Sequence, residues 1–155
     1  MQTITLDLPE NLYEQIRQAA DKMEEGLNLY RAAAMGSPES KRPIAIREVV
    51  IAEQLQRLIQ SDHAILEFED LRLQLAAEQD RQKAGIIFDR MESIVGDEIT
   101  RTELSLLAAS RDSRLGFQQE CDYVYTPYSL SEKLGFLKET LNIQLPAARR
   151  RKLIS

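Results

Sequence analysis

The chain has 155 residues, with 25 acids against 20 lysines and arginines, one histidine, one cysteine and no tryptophan, for a net charge of -5. That length suits one domain, or a small N-terminal module on a larger body, and the acidic balance opposes a surface coated in nucleic acid. One cysteine excludes an internal disulfide and fits a reducing compartment. With no secretory leader and no run of 18 apolar residues in view, a cytoplasmic chain without membrane contact is expected.

Six glycines and five prolines in a chain that is 43% hydrophobic favour helices. The chain opens on an alternating segment, residues 3–8. Ile4, Leu6 and Leu8 fall on one face of a strand there, with Thr3, Thr5 and Asp7 on the other. Pro9 stands where a helix begins. Leu12, Ile16, Ala19, Met23, Leu27, Tyr30 and Ala34 then recur at helical spacing and predict a helix over residues 10–35. Gly26 costs it about 1 kcal/mol relative to alanine and marks a place where it can break. Residues 36–43, with one glycine and two prolines, read as a loop.

A second helix starts near Pro43 and carries Ile46, Val50, Ile51, Leu55, Leu58 and Ile59. Ser61-Asp62 reads as a cap between two helices or as a polar interruption within one. The pattern resumes over residues 63–93, with a polar, surface-facing stretch at residues 76–83. Gly96-Asp97-Glu98 is expected to end it. Asp97 or Thr100 would cap the next helix, with Glu103 completing a box on Thr100. Residues 115–129 are the least helical and include Phe117, Tyr123, Val124, Tyr125 and Tyr128, which suit a short extended piece. A last helix starts at Ser129 or Ser131 and carries Leu130, Leu134, Leu137 and Leu141. The expected fold is mainly α, a long-helix bundle or helical hairpin with a short N-terminal β-strand. Its expected parts are a strand-helix-helix module (1–60), a helical body (61–146) and a basic flexible tail (147–155).

Catalytic chemistry finds little footing. His63 has Asp62 beside it and Glu67 one helical turn on, an ordinary surface pairing without a nucleophile. Cys121 stands between Glu120 and Asp122, which disfavour its thiolate. One cysteine and one histidine cannot make a zinc site. The carboxylates include no Glu-x-x-His pair and no EF-hand spacing. No phosphate-binding loop or hydrolase elbow is present. The expectation is a non-enzyme with no metal and no cofactor.

The strand-Pro-helix opening, residues 3–16, resembles the ribbon-helix-helix family of small dimeric repressors and antitoxins, and Arg47-Glu48-Val49-Val50 is similar to the start of that family's second helix. The resemblance implies that Ile4, Leu6 and Leu8 lie on a strand pairing antiparallel across a dimer axis. It further implies Gln2, Thr3 and Thr5 as groove-facing DNA contacts, with Lys41, Arg42 and Arg47 at phosphates. Against this, the first twenty residues hold Asp7, Glu10 and Glu14 but a single base, Arg17. Binding features elsewhere are Tyr123, Tyr125 and Tyr128 on the non-helical segment, and Arg149, Arg150, Arg151 and Lys152, whose +4 leaves -9 for the rest of the chain. Two readings follow. The first is a helical adaptor or small subunit of a larger assembly, whose partners are a second copy of itself and another protein. The second is a dimeric regulator binding double-stranded DNA.

Overall fold

The computed structural model describes residues 12–118, 122–123 and 125–154. The expected strand with Ile4, Leu6 and Leu8 lies outside them, as do Cys121 and Val124. The described chain is mainly helical: α1 (Leu12–Met35), α2 (Arg42–Ala77), α3 (Arg81–Ala109), α4 (Pro127–Glu139) and α5 (Leu145–Ile154). A 3-10 turn (Ser113–Gly116) follows α3, and β1 (Phe117–Gln118) pairs antiparallel with β2 (Asp122–Tyr123). This small hairpin supplies the extended piece expected in the tyrosine segment.

Ion pairs and hydrogen bonds fix how the helices run. Glu24 accepts from Gln56 and Arg31 pairs with Glu53 at 2.9 Å, so α1 runs antiparallel to the first half of α2. Arg90 meets Glu67, Glu98 meets Ser61 and Arg57 meets Ser105, so α3 runs back along α2. Lys133 and Lys138 of α4 reach Glu98 and Glu103 of α3, while Arg149 of α5 reaches Asp89 and Glu92 near the start of α3.

Two apolar clusters result. One joins Leu27 and Ala34 of α1 to Val49 of α2, with Ala45 and Ala52 packed against them. The other centres on Phe88, Met91, Val95 and Leu145, and draws in Phe68, Leu71 and Leu75 of α2 with Leu137, Leu141 and Ala148 from the chain's last helices.

Several helix ends differ from expectation. Neither Gly26 nor Ser61-Asp62 breaks a helix, and the module boundary expected between residues 60 and 61 falls inside α2. The break comes instead at Glu78-Gln79-Asp80. Glu78 Oε1 accepts from the amides of Gln79 and Asp80, and Asp80 Oδ1 from those of Gln82 and Lys83, so the orphan donors at the start of α3 are satisfied locally. Gly96-Asp97-Glu98 does not end a helix. It lies in the middle of α3, and Thr100 caps nothing, its hydroxyl donating back to the Gly96 carbonyl at 3.2 Å.

The capping box falls at Thr126. Thr126 Oγ1 accepts from the Ser129 amide, Ser129 Oγ accepts from the Thr126 amide, and Pro127 is pre-set for the first turn. Ser129, expected as a start, is therefore the third residue of α4. The tail expected to be loose is helical to Ile154 and anchored by Arg149. Between α4 and α5 the helix widens to a π turn, Thr140–Gln144, where the Leu145 amide donates five residues back to Thr140. Pro146 accounts for this: it has no N–H to return to residue 142, and its ring crowds that carbonyl.

Candidate interaction surface

Glu98, 7% exposed, accepts from Ser61 Oγ at 2.7 Å, Lys133 Nζ at 2.5 Å and Arg101 Nε at 2.8 Å, joining α2, α3 and α4 at one carboxylate. Burial pushes this carboxyl up, but the bonds from Lys133, Ser61 and Arg101 outweigh it and hold it below the ordinary value. Tyr125 is half-buried, and burial pushes its hydroxyl up, helped by the charges of Asp62 and Glu98. It is a packing residue of this end of α4, whereas Tyr128 is 79% exposed.

A second polar seam lies between α1, α2 and α3. Gln54 accepts from Arg57, whose Nε also reaches Ser105 Oγ at 3.2 Å. Thr102 Oγ1, buried on α3 one turn before Ser105, has no hydrogen-bond partner among the described residues.

His63 lines a cleft of about 200 Å³ with Arg17, Glu67, Arg90 and Arg101. Glu67, one helical turn on from His63, accepts from Arg90 at 2.5 and 2.8 Å. Among the described residues, no three His, Cys, Asp or Glu side chains gather as a metal site.

The expected phosphate-binding residues sit around the α1–α2 turn, tied internally. Arg42 donates to the Ser37 carbonyl at 3.2 Å, and Arg47 lies 3.8 Å from Asp112. Lys41 is exposed at the helix start. Gln2, Thr3 and Thr5 fall outside the described residues.

What the structure leaves open is apolar surface. On the side of α2 away from α1 and α3, Ile44, Ile51, Leu58 and Ile65 recur every seven residues, and Leu55, Leu66 and Leu73 continue the line. Ile44 is 64% exposed, Ile65 63%, Leu55 51% and Leu73 50%. The line runs about 44 Å along the helix at 1.5 Å per residue. Glu48, Asp62 and Glu69 lie in or beside it.

The other open feature is a trough between the second half of α2 and the α4–α5 helix. One stretch of about 660 Å³ is floored by Phe68, Phe88 and Met91 and walled by Ile143 and Gln144 of the π turn. A second of about 440 Å³ continues past Ala76 to Lys152. Both share Arg72, Leu75, Phe88, Ala148 and Arg151, so they form one trough. Its charged lining residues are Arg72, Arg151 and Lys152, with no carboxylate among them. Arg72 is held by Glu69 at 2.5 and 2.7 Å. The basic run noticed in the sequence is thus divided. Arg149 turns inward, to Asp89, Glu92 and the Phe88 ring at 5.8 Å, whereas Arg151 and Lys152 line the trough and Arg150 is exposed.

No helix among the described residues is long and apolar enough to cross a membrane. No known protein family, curated protein or solved structure matches this chain.

Proposed function

We propose that the protein is a non-catalytic helical adaptor, a small subunit that associates with a second copy of itself through the outer stripe of α2. The observation that carries this reading is the apolar line on the 36-residue α2, in which Ile44, Leu55, Ile65 and Leu73 are exposed and Ile51 and Leu58 half-buried between them. Single exposed leucines are ordinary, but a continuous apolar line is what a partner helix covers. Matched along its length by a second copy, it buries on the order of 1,000 Å² in total, the lower bound for a specific interface. A non-catalytic role agrees with polar groups consumed by helix-to-helix bonds.

Sedimentation of the full chain tests the reading. The wild type is expected to be a dimer or larger, and Leu55→Asp with Ile65→Asp to be a monomer of unchanged helicity whose melting temperature no longer depends on protein concentration. A monomeric wild type, or a double variant that stays associated, overturns the proposal.

A further inference from the structure

A third opening lies between α2 and the last turns of α3, and we infer that it binds a small amphiphilic carboxylate, an apolar chain of about eight carbons ending in one acid group. The inference goes beyond the adaptor reading and does not use its surface, since none of Ile44, Ile51, Leu55, Leu58, Ile65 or Leu73 lines this cleft. The cleft measures about 400 Å³, and its apolar wall is Val50 of α2 with Leu104, Leu107 and Ala108 of α3. Leu104 and Leu107 are 50% and 49% exposed, so this wall is open to water and an apolar occupant gains by covering it.

Arg57 stands at one end. It is half-buried, yet no carboxylate is hydrogen-bonded to it. Its Nε and Nη2 donate to Gln54 Oε1, Nε also donates to Ser105 Oγ, and Nη1 donates to nothing among the described residues. Burial pushes this guanidinium below the ordinary arginine value; the Glu53 charge opposes that and the Arg31 charge adds to it. Glu53 also lines the cleft, but its Oε1 takes Arg31 Nε and Nη2 at 3.0 and 2.9 Å. At the other end stand Arg47, Arg111 and Asp112. Asp112 is held by Arg114 at 2.7 Å, whereas Arg111 is exposed and has no side-chain hydrogen bond or ion pair among the described residues. The three arginines of the lining outnumber its two carboxylates, and both carboxylates are engaged by arginines from outside it. A half-buried cation with only neutral partners gains from an anion that reaches it without water. With one Arg57 nitrogen open, a singly charged carboxylate is matched better than a phosphate dianion. The two ends lie about seven residues apart along each helix, or about 10 Å, which fits a medium-chain acid with its carboxylate on Arg57.

Titration of the full, isotope-labelled chain with sodium octanoate, followed by NMR amide shifts, tests this. Saturable shifts are expected, centred on residues 47–57 and 104–112. Octanol and octylammonium, which share the chain but not the charge, are expected to bind more weakly by roughly tenfold or more. Butyrate, whose short chain covers little of the wall, is expected to be weaker as well. Arg57→Gln is expected to weaken octanoate by roughly tenfold or more, and Arg57→Lys, which keeps the charge, by less. Because Arg57 also bonds Gln54 and Ser105, circular dichroism must show that its variants keep their helix content. Leu107→Asp, on an exposed side chain, is expected to weaken octanoate without touching those bonds and decides the matter if Arg57→Gln unfolds. Equal binding of octanoate, octanol and octylammonium overturns the proposal. So does octanoate that never saturates, or whose binding ignores both Arg57→Gln and Leu107→Asp. Shifts that fall on the α2 stripe and vanish with Leu55→Asp/Ile65→Asp overturn it too. The two proposals fail separately: a monomer that binds octanoate ends the adaptor reading alone, and a dimer that ignores octanoate ends this one alone.

Discussion

The two halves of α2 meet the rest of the chain on different terms. The first half meets α1 through Leu27, Ala34, Val49, Ala45 and Ala52, and the alanines let the helices approach while burying few methylenes. Polar bonds beside this contact, Glu24 with Gln56 and Arg31 with Glu53, hold register more than they add stability. The second half meets α3 and the last helices around Phe88, Met91, Val95 and Leu145. That end closes a core of large side chains. The α1 end leaves Leu29, Met35, Ile44 and Ile46 open at 75, 62, 64 and 44%. The contrast lies in the size of the buried side chains rather than in the open surface, since Ile86, Phe136 and Ile143 beyond the α1 end are open at 63, 62 and 62%.

The sharpest way to break this contrast is to empty both clusters. Phe88→Ala removes a ring that is 1% exposed and touched from three sides, and should cost about 3–5 kcal/mol. Leu27→Ala, at 2% exposure but among alanines and one valine, should sit at the low end for its type, about 2–3 kcal/mol. Urea unfolding measures both. If Leu27→Ala costs as much as Phe88→Ala, the two ends are equals and the contrast fails.

Glu98 tests how the halves are joined. Its carboxylate holds Ser61, Arg101 and Lys133, and Glu98→Ala strands two cations near the middle of α3, which should cost about 2–3 kcal/mol, discounted because Lys133 is partly exposed. The sign of the pH effect follows from the depressed folded value. The stabilisation is complete above the ordinary carboxyl range near pH 4.3, and is lost as pH falls from there through the folded value. Glu98→Gln is therefore expected to flatten the acid side of the stability profile. An unchanged acid limb would mean that other carboxylates carry it.

The sequence made the helices legible more readily than their faces. Alternation of three and four residues located α1, yet the line that turns inward is Ile16, Ala20, Met23, Leu27, Arg31 and Ala34, so Ala20 replaces Ala19 and Tyr30 is 41% exposed. In α2, Ile44, Ile46, Val49, Val50, Ile51, Leu55, Leu58 and Ile59 surround the helix, and periodicity cannot choose among faces that are all apolar. The structure buries Gln54 and Gln56 there and leaves Ile46 and Leu55 outside.

Helix ends were misread for a related reason. Gly96 suggested a stop, but a side chain at that position would meet nothing within 4 Å, and Glu98 two residues on is bonded across the bundle. The true stop at Asp80 did carry a local signal, a carboxylate just ahead of a helical run. The trough was legible only in part. Arg149–Lys152 stood out as a basic cluster, but its division between an inward Arg149 and an outward Arg151 and Lys152 depends on the π turn before Pro146.

The smallest effect probes the far end of the α2–α3 pair. Asp112, just past α3, accepts from Arg114 Nη2 at 2.7 Å and from the Arg114 amide at 3.1 Å, with Arg47 of α2 at 3.8 Å. The Arg114 side chain chiefly, then its backbone amide, hold the Asp112 carboxyl down at about 2. Arg114 also reaches Glu48 at 3.4 Å, so an ion pair links the turn after α3 to the first half of α2. Carbon-detected NMR titration should place the Asp112 midpoint near that value, and Arg114→Ala should return it toward about 3.9, the ordinary value for aspartate. Since such exposed pairs are screened by salt, the midpoint should also rise as ionic strength increases. A midpoint that ignores both Arg114 and salt would show that Asp112 and Arg114 do not pair in solution.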